Sequence, residues 1–448
     1  MNTTNNCTHP LCTLCTKSSN PSTMRQNIIF YFNTLSEKLW FKPLIFCLLS
    51  IMGALVAELA DGTFLTDIAP DIKYESLDDL LNTLSSTMLV IAIFAVGSMI
   101  SAFAAASSTA TPRSFKLVVA DDVSQNALSI YIGSFIFSIV ASVAFKNGYY
   151  GKAGHFVLFL LTLAVFLLVI ITFIRWVERI SKLGRLEHTI QKIEDITTKT
   201  FEKRIRVRRM GGSPIIERED KGVPIYGDEI GYILHLNMER LQEVAMELKV
   251  IITLNCMPGT FVSPDRVVAF VVSAHEEIPI NDKDKLSKAF IIGKSRSYYA
   301  DPRFGLIALS EIASRALSPG INDPGTALSI INSYVRLFHL WFKKNDNGSS
   351  PDVKYTRIEV PEIEASDIFE DAFRPIARDG AGNIEVMVRM QKALTSIYSF
   401  VPDDVKEVVL KTAKEAYERA EEAFDYPGDL ELLKGESLHL KTDVVSKK

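Results

Sequence analysis

The residues with the greatest chemical potential lie near the N-terminus. Cys7, His9, Cys12 and Cys15 set four soft ligands within nine residues, a spacing that a zinc ion could use in a small knuckle. The tail around them is rich in Asn, Thr, Ser and Pro and offers no core to support such a site. No cofactor is therefore expected, with zinc at this tail as the weaker alternative. A second constellation is Asp301, Arg303, Asn322 and Asp323. Brought together, two carboxylates, a guanidinium and an amide could perform acid–base chemistry. They lie, however, at two helix starts joined by one helix, so the fold need not unite them.

Other candidates are better suited to binding or packing. Gly97, Ser101 and Ala105 recur every four residues, as do Ser134, Ser138 and Ser142. In a membrane helix this spacing lets backbones approach closely. The sharper alternative is a hydroxyl-lined path for an ion or small solute. Arg113 ends a polar turn (ASSTATPR) and can meet a lipid phosphate. Arg204, Arg206 and Arg208 alternate with apolar residues. On a strand they would share one basic face, suited to anionic lipid or simply to water. In Ala316-Leu-Ser-Pro319-Gly320-Ile-Asn322-Asp323-Pro324, Gly320 is read as ending one helix, with Asp323 and Pro324 starting the next. Free N–H groups there could hold an anion, with Asp323 competing for them. His235 and His275 are isolated. There is no nucleophile-elbow serine, Walker lysine loop, H-E-x-x-H or dinucleotide glycine pattern, so hydrolase and redox readings have little support.

These residues must be positioned by a chain of two characters. Of 448 residues, 48% are hydrophobic yet 23% are charged, and mean hydropathy is +0.15. The figures agree if an apolar first part is joined to a normally charged remainder. The run 156–174 has no charge and makes a helix roughly 28 Å long, near the ~30 Å of a bilayer core. Further spans are read at 44–57, 84–106 and 127–145. No Asp, Glu, Lys or Arg lies deep within the last three spans, which argues against a proton relay. Arg175, Arg179, Lys182 and Arg185 follow the fourth span, whereas residues 61–79 carry six acids and one lysine. The positive-inside rule then puts both termini in the cytoplasm of a multi-pass inner-membrane protein. Net charge is −4 and no aromatic residues interleave the arginines, so nucleic acid is not an expected partner.

The expected fold is four transmembrane helices plus a cytoplasmic α/β region with a small β unit and C-terminal helices. Residues 1–35 form a Cys-containing tail, 36–180 the membrane domain, and 181–345 a cytoplasmic α/β domain. Residues 346–425 form a mainly helical region and 426–448 a flexible tail. Within these, an amphipathic stretch is read at 28–39, a helix at 177–198 and a strand at 199–209. Another helix is read at 236–248, with strands at 250–254 and 267–272 on either side of the turn Met257-Pro258-Gly259-Thr260. Helices follow at 304–317 and 326–341, a linker at 343–352, a strand at 354–360, and helices at 365–378, 383–400 and 403–424.

Several segments together resemble the bacterial family of predicted membrane proteins called domain of unknown function 2254. They are ASSTATPR with Gln125 and Gly133, Gly231-Tyr232 with Leu241, Pro258–Val262 (PGTFV), Asp301–Leu306 (DPRFGL) and ALSPGINDP. The likeness runs in order over about residues 35–400, and ALSPGINDP is its most specific part. Thr111 stands where the family has serine, Thr260 where it has aspartate, and Arg303 where alanine or valine is common. The resemblance implies an architecture and a place in the membrane, not an activity. The expected function is an oligomeric channel or transport-like protein with a cytoplasmic gating or assembly domain. The alternative is a membrane-anchored sensor or scaffold that binds a ligand or partner, and an enzyme is the weakest reading.

Overall fold

The computed structural model describes residues 41–62, 69–109, 111–114, 122–182, 185–219, 221–272, 285–343 and 353–440. The Cys7–His9–Cys12–Cys15 cluster and the 28–39 stretch lie outside them, as does nearly all of the 343–352 linker.

Four helices are long and apolar enough to cross a membrane. They are α1 (Phe41–Val56), α2 (Tyr74–Thr109), α3 (Asp122–Lys146) and α4 (Lys152–Lys182). Helix α3 is the centre and packs on each of the other three. Its serines explain why. Ser134 and Ser138 are buried, and the Ser138 hydroxyl donates to Phe135 O at 2.9 Å, within its own helix. Ser142 is half-buried. At Gly133 a side chain would begin 3.2 Å from Phe46 Cβ, so α1 closes tightly onto α3. By contrast α4 buries only one stripe, including Leu158, Thr162, Val169 and Trp176, and leaves Leu160, Leu167, Ile170 and Ile174 exposed. Away from the basic end of α4, Asp61 fastens the bundle. Its carboxylate accepts from Gly151 N (2.6 Å) and Gly154 N (2.7 Å) at the start of α4, where the helix dipole favours an anion.

Beyond α4 the chain builds two cores. The first is helical: α5 (Leu186–Arg206), α7 (Pro302–Ala316), α8 (Pro324–Phe342), α9 (Ala365–Asp379), α10 (Ile384–Phe400), α11 (Asp403–Ala423) and α12 (Pro427–Glu436). Leu309, Ile330, Tyr334, Phe338, Phe369, Phe373, Met390 and Leu394 form its interior. The segment 199–209, expected as a strand, continues α5 instead. The buried stripe Ile190, Ile193, Thr197 and Phe201 has helical spacing and extends into it, outweighing a five-residue alternation. The helix stops where Arg209, Met210 and Gly211 adopt positive φ (49°, 53° and 81°). The last segment was also expected to be loose, yet α12 docks Leu433 into the helical core. Gln391 fixes it, donating to Ala413 O at 2.8 Å and accepting from Leu438 N at 3.3 Å.

The second core is β-rich. Its strands are β1 (Gly212–Ser213), β2 (Val223–Tyr226), β3 (Gly231–Leu236), β4 (Ile251–Leu254), β5 (Phe261–Val262), β6 (Val267–Val272), β7 (Phe290–Gly293) and β8 (Tyr355–Glu359), with α6 (Met238–Glu247) between β3 and β4. One sheet has the order β1-β8-β4-β6-β2, with β8 parallel to both neighbours. The other, β5-β3-β7, is antiparallel. Helix α6 covers β8 and β4. The expected pair β4–β6 is present, but the turn between them carries β5 across to the second sheet.

Candidate functional site

The family-motif segments converge on one helix, α7. Asp301 caps its N-terminus, accepting from Arg303 N at 3.1 Å, and Pro302 occupies the first turn, where a missing N–H costs nothing. The other Asp301 oxygen accepts from Arg296 Nε at 2.6 Å. Arg296 in turn lies over the Phe304 ring, 5.4 Å from its centre. Asp301 is only 3% exposed, so its charge depends on these partners. Arg204 reaches the same place from α5, donating to Ala300 O at 3.3 Å. Burial pushes its guanidinium down to about 10, with Asp301 opposing. Arg206 and Arg208 are exposed, so the three arginines do not form the single basic face that a strand would give.

Arg303 projects toward α9. It is bidentate with Asp371, Nε to Oδ2 at 2.5 Å and Nη2 to Oδ1 at 3.1 Å, and also pairs with Asp367. Asp367 and Asp371 are four residues apart, on one helix face, and so bracket a single guanidinium. Burial raises the Asp371 carboxyl even though Arg303 opposes it. Asp371 and Asp367 in turn hold Arg303 charged, although burial opposes that.

Two close approaches lock α7 against its neighbours. At Gly259, with φ +94°, a Cβ would stand 2.2 Å from Asp301 Oδ2. The PGTF turn of the β core therefore rests directly on the carboxylate, a position only glycine can take. At Gly305 a Cβ would stand 1.8 Å from Thr197 Oγ1, so the Thr197 side chain of α5 packs directly on the α7 backbone. The membrane side is held by the turn at 111–114. Tyr298 donates its hydroxyl to Arg113 O at 3.3 Å, and the Arg113 guanidinium pairs with Glu311 of α7. Tyr298 itself is buried, its ring tilted against that of Phe304 at 4.4 Å, and its carbonyl accepts from Thr200 Oγ1 at 2.7 Å.

The C-terminal end of α7 differs. Helix α7 ends at Ala316, and Asn322 takes the left-handed conformation at φ 48°, a role expected of Gly320. Asp323 caps α8, accepting from Thr326 N at 3.2 Å and Thr326 Oγ1 at 2.5 Å. Asp323 N donates to Ala316 O at 2.8 Å, closing the corner on itself. Pro319, Gly320 and Asn322 are exposed. Asp301 and Arg303 are thus separated from Asn322 and Asp323 by the whole of α7, about 22 Å for fifteen residues. The four do not form one cluster. Both oxygens of Asp301 and the donors of Arg303 are engaged by protein groups, an arrangement that positions elements rather than reacting groups.

In the bundle, Gly97, Ser101 and Ala105 are exposed on the outer face of α2, apart from the buried Ser134 and Ser138 of α3. The two sets of small residues do not line one path within a chain. Residues outside every motif in the sequence are Arg296, Tyr298, Glu311, Asp367 and Asp371. Three carried a signal: Glu311 is the one acid within the apolar α7, and the Asp367–Asp371 pair has the spacing that brackets a cation.

Comparison with curated proteins and with solved structures gives no match. The model of one family, predicted membrane protein (DUF2254), matches residues 36–396, and the chain belongs to that family of multi-pass membrane proteins.

Proposed function

We propose that the protein is a membrane-anchored transducer whose extramembrane region senses a ligand or partner and passes its state to the bundle through α7. The observation that carries this reading is that α7 touches all three bodies. Arg113 of the membrane turn meets Glu311, the β-core turn at Gly259 meets Asp301, and α9 of the helical core meets Arg303. A rigid helix gripped at separate points conveys displacement from one end to the other. The basic residues Arg175, Arg179 and Lys182 at the end of α4, against acidic Asp61, Asp71 and Asp78 at the other side, support a cytoplasmic extramembrane region with both termini inside. Apolar helices rather than barrel strands support an inner-membrane location, in the bacterial setting that the family resemblance implies. Hydrogen exchange on the full-length protein in nanodiscs tests transduction. Glu311→Gln is expected to speed exchange at 111–114 and also at the distant turn 257–260. Change confined to the first site would refute it.

The channel reading keeps one observation in its favour. Gly97, Ser101 and Ala105 lie exposed, open to a second copy, so a homo-oligomer could assemble a path that one chain lacks. Ion flux through liposomes carrying the protein would establish it, and its absence in every salt tried would leave the transducer.

A further inference from the structure

Of the arginines that grip α7, Arg204 alone lacks a carboxylate of its own among the described residues. Its Nη2 donates to Ala300 O at 3.3 Å, and no other hydrogen bond or ion pair holds the side chain. A guanidinium carries five N–H donors, so most of them are unspent. Neither Nε nor Nη1 is sealed in by protein atoms, so a ligand can reach them. The side chain is nevertheless half-buried, and that burial pulls its pKa down to about 10. Asp301, the carboxylate that acts on it, is already committed. One oxygen accepts from Arg296 Nε at 2.6 Å and the other from Arg303 N at 3.1 Å. Asp367 and Asp371 both turn to Arg303. Arg204 and Arg296 therefore share one carboxylate, and one positive charge is left over in a poorly solvated place.

The chain around Arg204 adds charge of the same sign. Thr200 and Arg204, one turn apart on α5, donate to the carbonyls of Tyr298 and Ala300, so the end of α5 lies along this segment. Lys203, beside Arg204, lies close to His235 of β3, whose pKa is lowered by burial and by that lysine. Strand β3 pairs with β7, and Lys294 follows the last residue of β7. Lys203 and Lys294 are exposed and have no partner among the described residues. Glu202 is the one acid between residues 199 and 209, and at two residues from Arg204 it stands on another side of the helix. We propose that Arg204, flanked by Lys203 and Lys294, binds the phosphate group of a phosphorylated ligand. A guanidinium fork matches two phosphate oxygens, and two lysines supply the further charge that a dianion, unlike a carboxylate, can use. The phosphate can come from a soluble ester or from a lipid headgroup, because Tyr298, two residues from Ala300, touches the membrane turn at Arg113. The site names the class of ligand for the transducer reading and rests on that reading only for its effect on α7.

Thermal unfolding of the full-length protein in phosphatidylcholine nanodiscs tests the site, with inorganic phosphate added at constant ionic strength. A saturable rise of the midpoint is expected, lost in Arg204→Gln and kept in Arg206→Gln, which changes an exposed neighbour. Lys203→Gln with Lys294→Gln should raise the half-saturating concentration about tenfold. If Arg204→Gln does not fold, judged by circular dichroism, this lysine pair decides. Phosphatidic acid in the nanodisc separates the two sources. A lipid source predicts that phosphatidic acid gives the Arg204-dependent rise and that inorganic phosphate adds nothing to it; a soluble source predicts the reverse. No rise from either, a rise that survives Arg204→Gln, or an unchanged half-saturating concentration in the lysine variant would overturn the proposal. Hydrogen exchange at 257–260 is followed in the same samples. Binding that leaves this exchange unchanged would sustain the site and overturn the transducer.

Discussion

The two ends of α7 carry the two most recognisable motifs of the soluble part and use them in opposite ways. At the N-terminal end, Asp301, Arg303 and Gly305 each meet a different element, and the charges are buried or half-buried. At the C-terminal end, ALSPGINDP hydrogen-bonds chiefly to itself, and its tip at 319–322 lies open to solvent. The more distinctive sequence is thus a self-contained corner, and the plainer one is the hub. A tight corner needs its particular residues in order, which writes a legible string. A hub needs partners scattered through the chain, which leaves only fragments.

The contrast makes graded predictions for the stability of the full-length protein in detergent. The largest effect is expected from Asp301→Ala. It leaves Arg296 without its buried counter-charge and α7 without its cap, and should cost about 3–5 kcal/mol in chemical unfolding. Asp301→Asn keeps an oxygen for the cap and should recover part of that loss. Next is Gly305→Ala, which drives a methyl into Thr197 and should cost about 1–3 kcal/mol; a smaller value would mean that the α5–α7 contact yields easily. At the other end, Asp323→Ala removes only a helix cap, and a midpoint shift equivalent to about 1 kcal/mol is expected. Gly320→Ala should fall within about 0.5 kcal/mol of wild type, because its φ is not positive and nothing among the described residues crowds it. An effect at Gly320 as large as that at Gly305 would break the distinction between corner and hub.

Much of the architecture was legible from period and charge. The four apolar runs, the helices from 302 to 423 and the strands β4, β6 and β8 follow patterns of 3.6 or 2 residues. What escaped has particular physical causes. Strand β2 (VPIY) contains Pro224 and β7 (FIIG) ends in a glycine, so neither continues its β-branched residues far enough to register. Residues 204–208 alternate like a strand, but Phe201 and Thr197 extend a helical stripe into them. Helix α12 owes its place to Gln391, some forty residues away, a contact that no local pattern announces. The site was half legible. Asp301 and Arg303 stand within a motif, whereas Tyr298, Glu311 and Asp371 acquire meaning only once the chain is folded around α7.

The central claim, that α7 couples the membrane turn to the β core, is tested most directly by a double-mutant cycle. Arg113→Gln loosens the membrane grip on α7, and Gly259→Ala disturbs the β-core grip at Asp301. The two residues touch α7 at different points, so independent effects would add to within about 0.3–0.5 kcal/mol. Coupling through α7 predicts a departure from additivity above about 0.5 kcal/mol in the unfolding free energy of the full-length protein. Simple additivity would contradict the account and reduce α7 to one packed helix among several.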